Sequence, residues 1–181
     1  MIIWCLKVRH RVGLLMATVW AAIAFQTTHA QAQECFFASP RVIDGDTLVF
    51  SQENRPDFEA RLAGIDAVED RQRCGAGDTE PAAWSCGLTA RLFLARTIEE
   101  SGFVRCRLID QDEAGPPTAH CLTRGGNNLS YAMVEEGLAL ALRDAERALH
   151  AAEADARKSR RGIWQGTFEP PWEWRRTNPG S

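Results

Sequence analysis

The sequence has no surplus of positive charge. Its 21 Lys and Arg face 24 Asp and Glu. Three of the basic residues, Lys7, Arg9 and Arg11, fall within the first 30 positions, which hold no acid. Beyond that point 18 basic residues face 24 acidic ones, a net −6. That balance excludes a basic coat that tracks nucleic acid by charge alone. Contact with a polyanion must come from a local site or through a metal. The chain also lacks a second apolar run of bilayer-spanning length after residues 12–25. It has no C-x-x-C pair, and His120 and His150 have no partner at ligand spacing, which argues against zinc. There is one tyrosine, Tyr131. No internal repeat or low-complexity segment occurs, which excludes solenoid and collagen-like architectures.

What is present begins with an address. Lys7 to Arg11 form a basic stretch, residues 12–25 are apolar, and small residues follow at Ala30 and Ala32. This is the layout of a secretory signal peptide over residues 1–32, cleaved after Ala30 or Ala32. At 14 residues the apolar run is short against the ~20 a membrane span needs. The expected location is periplasmic or secreted. Cys5 leaves with the signal, while Cys35, Cys74, Cys86, Cys106 and Cys121 enter an oxidising compartment where disulfides form. Cysteine spacing alone leaves many connectivities open.

Residues 33–39 read as a linker before one domain at 40–165. Residues 40–50 are two β-rich pieces broken by Asp44-Gly45-Asp46. Residues 51–57 hold Pro56 and read as a turn, and Phe58 to Ile65 alternates as a strand. After a charged, Gly- and Cys-containing loop, Leu88, Leu92, Ala95 and Ile98 recur at helical spacing and predict an amphipathic helix over 87–100. Residues 103–109 and 118–123 read as strands. Residues 129–136 read as a helix capped by Asn128, with Tyr131 packed in the core, and 144–161 as a longer helix ended by Gly162. The tail, 166–181, is Trp- and Pro-rich and shows no periodicity. Five short strands with inserted helices fit a small α+β barrel. Cys106 and Cys121 fall on consecutive, antiparallel strands, which predicts their pairing. Cys74 and Cys86 flank one loop and form the second expected bridge. Cys35 is left over, as a free thiol or a link to another chain; otherwise a monomer is expected.

Three pieces carry candidate chemistry: Asp44-Gly45-Asp46-Thr47, Arg61 to Asp66, and Glu69. Taken singly, Asp-Gly-Asp is an ordinary hairpin turn, a lone strand Arg a surface cation, and an Asp after a strand a turn residue. Together they differ. Asp46 starts one strand, and Asp66 and Glu69 follow the next, so pairing those strands brings three carboxylates to one Arg. Such crowding is repulsive unless a cation sits among them. Oxygen-only donors select a hard cation such as Ca2+.

V-I-D-G-D-T-L at 42–48, R-L-A-G-I-D-A-V-E at 61–69, A-H-C at 119–121, M-V-E-E-G-L-A at 133–139, and A-E-A-D-A-R followed by G-I-W closely resemble the staphylococcal nuclease (thermonuclease-like) family. The resemblance implies an OB-fold, a five-stranded β-barrel with three packed helices. It implies Ca2+ bound by Asp46, Asp66 and the Ala67 carbonyl, with Glu69 orienting or deprotonating the attacking water and Arg61 holding the phosphate. The family's D-x-Y-G-R-x-x-A motif falls on residues 112–119, where its arginine position is Pro116 and its aromatic is Ala114. A later family tyrosine falls on Leu142. A transition-state arginine in phosphoryl transfer is worth roughly 10³–10⁵ in rate. Arg105, Arg107, Arg124 and Arg143 are expected on the surface. The reading is therefore an exported calcium-dependent nuclease for single-stranded or frayed DNA or RNA, slowed at Pro116. The alternatives are a catalytically degenerate OB-fold binding module that keeps a calcium-stabilised site, and a periplasmic interaction domain whose Trp-rich tail docks on a partner.

Overall fold

The computed structural model describes residues 35–75, 83–110 and 116–179. The expected signal segment and the Ala114 position lie outside the described residues. The elements are β1 (Cys35–Ala38), β2 (Arg41–Val42), β3 (Thr47–Gln52), β4 (Arg55–Leu62), β5 (Ile65–Ala67), α1 (Cys86–Ser101), β6 (Val104–Asp110), β7 (Thr118–Thr123), α2 (Leu129–Glu135), β8 (Ala139–Ala141), α3 (Arg147–Lys158) and α4 (Pro171–Thr177), with a 3-10 turn at Gly162–Gln165. One curled sheet runs β1-β6-β7-β4-β3-β2, and β5 pairs with β8 in a second. The architecture is α+β and consistent with an OB-fold, with six strands in the main sheet rather than five and a fourth helix.

The curl is made by one parallel contact. All other pairs are antiparallel, but β4 meets β7 in parallel at Arg61–Thr118 and Leu62–Ala119. The inward side chains Leu48, Phe50, Ala60, Leu62, Val104 and Ala119 are almost completely buried, which is the alternation expected of a sheet with one apolar face. Phe36, Phe50 and Phe58 pack edge-on and stacked with centroids 5.0–5.9 Å apart, inside the range for favourable ring pairs.

Several expectations are corrected. Residues 33–39 hold β1, which pairs antiparallel with β6; four residues are too few to show a period. The tail at 166–181 holds α4. Pro56 lies within β4 rather than a turn: the register shifts between Phe50 and Gln52, and at such an irregularity a missing N–H is tolerated. Tyr131 is 38% exposed, because α2 turns Leu129, Ser130, Met133 and Val134 inward. On α1 the expected stripe is met at Ile98 and not at its N-terminal end. Leu88 and Leu92 are 38% and 54% exposed, and the inward face is Gly87, Ala90, Leu94 and Ile98. Two stripes at helical spacing competed, and the one with small residues won because α1 packs close to the loop after β5. As predicted, the Asn128 side chain caps α2, accepting from the Ser130 and Tyr131 N–H groups.

Both expected disulfides are present, Cys74–Cys86 and Cys106–Cys121. The second joins residues directly opposite in the β6–β7 register. Peptide mapping without reductant is expected to recover both bridges. Replacing Cys106 and Cys121 together by Ala is expected to cost about 2–4 kcal/mol of unfolding free energy, read by urea denaturation. An unchanged midpoint would contradict a structural role.

Candidate acidic site

The site starts from the turn that precedes β3. The Asp44 carboxylate accepts the N–H groups of Asp46 and Thr47 at 2.9 and 2.7 Å, an Asx turn that uses Asp44 locally. Gly45 is needed by close approach: a Cβ there would stand 2.7 Å from the Ala67 Cβ and 2.9 Å from the Ala90 Cβ. The turn is thus tucked beneath β5 and α1, and Asp46 is carried inside with 2% of its surface exposed.

Register then supplies its partners. Thr47 pairs with Arg61 across β3 and β4, so the Arg61 guanidinium reaches Asp46, with Nε 3.4 Å from Oδ1. Thr47 Oγ1 also donates to Oδ1 at 3.1 Å, and the Ala67 N–H donates to Oδ2 at 2.8 Å. That last bond ties Asp46 to β5, which carries Asp66. Asp66 is 5% exposed, and both its carboxylate oxygens bind one guanidinium, that of Arg175 from α4, at 2.8 and 2.7 Å. The same Arg175 Nη1 reaches Glu69 Oε1 at 2.5 Å.

Of the expected residues, Asp46 meets Arg61, and Asp66 meets Glu69 only through Arg175, while the Ala67 N–H joins the two halves. Arg175 was not expected. The tail does carry a helix signature, Pro170-Pro171 followed by Glu173 and then Arg175-Arg176, with acid in the first turn and base in the last. Nothing in that pattern tells which acid an arginine will meet. Gln72 was also missed. It is fully buried, its Oε1 accepts the Glu69 N–H at 3.1 Å, and its Nε2 donates to the Glu169 carbonyl at 2.5 Å. The Gly75 N–H donates to the Thr167 carbonyl at 2.7 Å. Gly87 of α1 lies against this loop so closely that a Cβ would fall 1.6 Å from the Glu69 carbonyl oxygen. The Glu69 loop is thus clamped by α1, the Cys74–Cys86 bridge and the chain leading into α4.

Among the described residues no group of three or more His, Cys, Asp or Glu side chains is disposed to hold a metal ion. Arg175 instead joins Asp66 and Glu69, pairing with both. The donor chemistry still fits a hard cation, since every candidate ligand is oxygen. Burial pushes the Asp46 carboxyl from 3.8 up to about 7; Arg61 opposes this, while Asp44 and Asp66 add repulsion. Hydrogen bonding to Asp66 raises Arg175 above its ordinary value and keeps it charged.

Position 116 sits beside the Arg61 half of the site. The Arg61 N–H donates to the Pro117 carbonyl at 2.9 Å, and Pro116 is exposed. Leu142, 38% exposed, lines a neighbouring cavity of about 450 Å³ with Gly64, Thr118, His120 and Asp144.

The shifted Asp46 gives a pH dependence. Its folded value exceeds its unfolded one, so the folded chain binds this proton more tightly than the unfolded chain. The resulting stability is complete below about pH 4 and is lost as pH rises through about 7. With EDTA present, Asp46→Asn is expected to remove that part of the slope, on the order of 4 kcal/mol by pH 8. Urea unfolding of both proteins from pH 4 to 8 checks this; parallel profiles would contradict it.

No curated protein matches the chain. The family described as Staphylococcal nuclease homologue matches residues 59–166. Arg61, Asp66, Ala67 and Glu69 lie inside the matched region, Asp46 precedes it, and α4 with Arg175 follows it. That match spans more than half of the sequence, and the chain belongs to the staphylococcal nuclease homologue family.

Proposed function

We propose that the protein is an exported, calcium-dependent nuclease acting on single-stranded or frayed nucleic acid, slowed by Pro116. Family membership supports a nuclease-like or nucleic-acid-binding role. The observation that carries the finer reading is that Asp46 with Arg61, and Asp66 with Glu69, form two halves linked through the Ala67 N–H and Arg175. Asp46, Asp66 and the Ala67 carbonyl would hold the ion, which supplies charge to offset the phosphate and polarise its oxygen. The other roles belong to the chain. Arg61 is 38% exposed while its Nε stays on Asp46, so the rest of its guanidinium is open to a phosphate. Glu69, 17% exposed, would take a proton from a water molecule. Its backbone N–H is held by the buried Gln72 side chain, which supports that role. Two disulfides and the lack of a membrane-length apolar helix among the described residues are compatible with export.

Pro116 carries no donor for a phosphate, and the exposed Arg105, Arg107 and Arg143 belong to the outer surface. Arg124 lies over the Phe103 ring, 5.9 Å from its centroid. These facts favour a second reading, a catalytically degenerate OB-fold module in the periplasm that keeps the acidic site for stability or binding.

The mature protein assayed on single-stranded DNA with Ca2+ and with EDTA separates the two. Cleavage with Ca2+ alone is the expected result. No cleavage in either, with Ca2+ still raising the melting temperature, selects the degenerate module. Pro116→Arg is expected to raise the calcium-dependent rate at least ~10-fold, a fraction of the value of such an arginine. An unchanged rate in a folded, calcium-binding variant would place the loss elsewhere, with Leu142 next.

A further inference from the structure

Arg175 is the one cation that touches both Asp66 and Glu69 among the described residues. It comes from a helix of seven residues, too short to persist in water without docking. What precedes that helix is firmly held. Trp164 and Phe168 pack edge-on at 5.0 Å, and Thr167 and Glu169 give their carbonyls to Gly75 and Gln72. From Pro171 onward the segment is held by the buried Pro171 ring, packing against β5, the Arg175 ion pairs, the Thr177 hydroxyl on Glu169, and Trp174, which with Asp44, Glu69, Asp70 and Arg71 lines a cleft of about 230 Å³. Trp172 is 47% exposed. The helix is thus fastened through an anchored hinge at one end and through the acidic site at the other.

Both Asp66 oxygens are committed to Arg175. A divalent cation seated on the same carboxylate face would stand against the positive guanidinium, and that repulsion sets the two cations in competition for Asp66. Leaving Asp66 buried with neither is unfavourable, because an uncompensated charge inside the protein is strongly destabilising. Release of Arg175 is therefore coupled to arrival of another cation. We propose that α4 is an autoinhibitory strap in which Arg175 stands in for the site's calcium ion, so that docking of α4 and binding of calcium exclude each other. In the docked form Trp174 lines the same cleft as Glu69, and Arg175 engages the Glu69 carboxylate. This inference rests on the calcium reading of the site, and the test separates the two.

Calcium affinity is measured by calorimetry for the full-length protein and for Arg175→Ala, Arg175→Gln and Arg176→Ala. A strap that leaves a tenth or less of molecules open weakens the apparent affinity by at least ~10-fold, so removing its arginine restores that factor. Both Arg175 variants are expected to bind calcium at least ~10-fold more tightly than the wild type. Arg176→Ala is expected to match the wild type, since among the described residues Arg176 forms its ion pair with Glu173 of its own helix and none with Asp66 or Glu69. Equal affinities for the wild type and the Arg175 variants overturn the strap and leave the calcium site standing. No calcium binding by any of the proteins overturns both. Should the Arg175 variants fail to fold, trypsin cleavage after Arg175 in the wild type decides. Cleavage accelerated by saturating calcium supports the strap; calcium binding with an unchanged cleavage rate overturns it.

Discussion

The fold crowds three carboxylates at one end of a small barrel, and the rest of the site is arranged around supplying them with positive charge. Asp46 is carried inside by a glycine-dependent turn, Asp66 by a three-residue strand, and Glu69 by a clamped loop. Two arginines answer them, Arg61 from the neighbouring strand and Arg175 from the end of the chain. With Asp44 counted, four acids stand against two bases. Burial pushes the carboxyl of Asp46 up to about 7, and repulsion from Asp44 and Asp66 adds to the shift. A divalent cation would answer the excess of acid by doing what Arg175 does with twice the charge.

The same arrangement explains why the C-terminal segment matters to a site built from residues 46–69. Gln72 is the link. Its side chain bonds to the Glu69 backbone on one side and to the Glu169 carbonyl on the other. The Cys74–Cys86 bridge and the close seat of Gly87 hold the same loop against α1. The loop can stay rigid while α4 beyond it is free to leave, which separates positioning of Glu69 from gating of the site.

Much of this was legible in the residues. The break in 40–50 at Asp-Gly-Asp and the Asn128 cap each rest on local chemistry and fell where expected, while the strand expected over 58–65 ends at Leu62, where Gly64 turns the chain into β5. The Cys106–Cys121 bridge followed from strand order alone. The misses have physical causes. β1, β5 and β8 are three or four residues long and show no period. On α1, Leu88 and Leu92 outweighed Gly87 and Ala90 by hydrophobicity, yet closeness of packing chose the smaller face. Arg175 was out of reach because its partner lies more than a hundred positions away, and an ion pair of that kind is made by tertiary structure, not by spacing.

The claim that two cations compete for one set of oxygens is tested most directly by amide hydrogen exchange over residues 171–177 while calcium is titrated into the full-length protein. If calcium displaces Arg175, exchange in α4 speeds up in step with calcium occupancy, while the Gln72 and Gly75 anchors keep their protection. If calcium binds and α4 exchanges at the same rate or more slowly, Arg175 and the ion do not share a place, and the account is wrong.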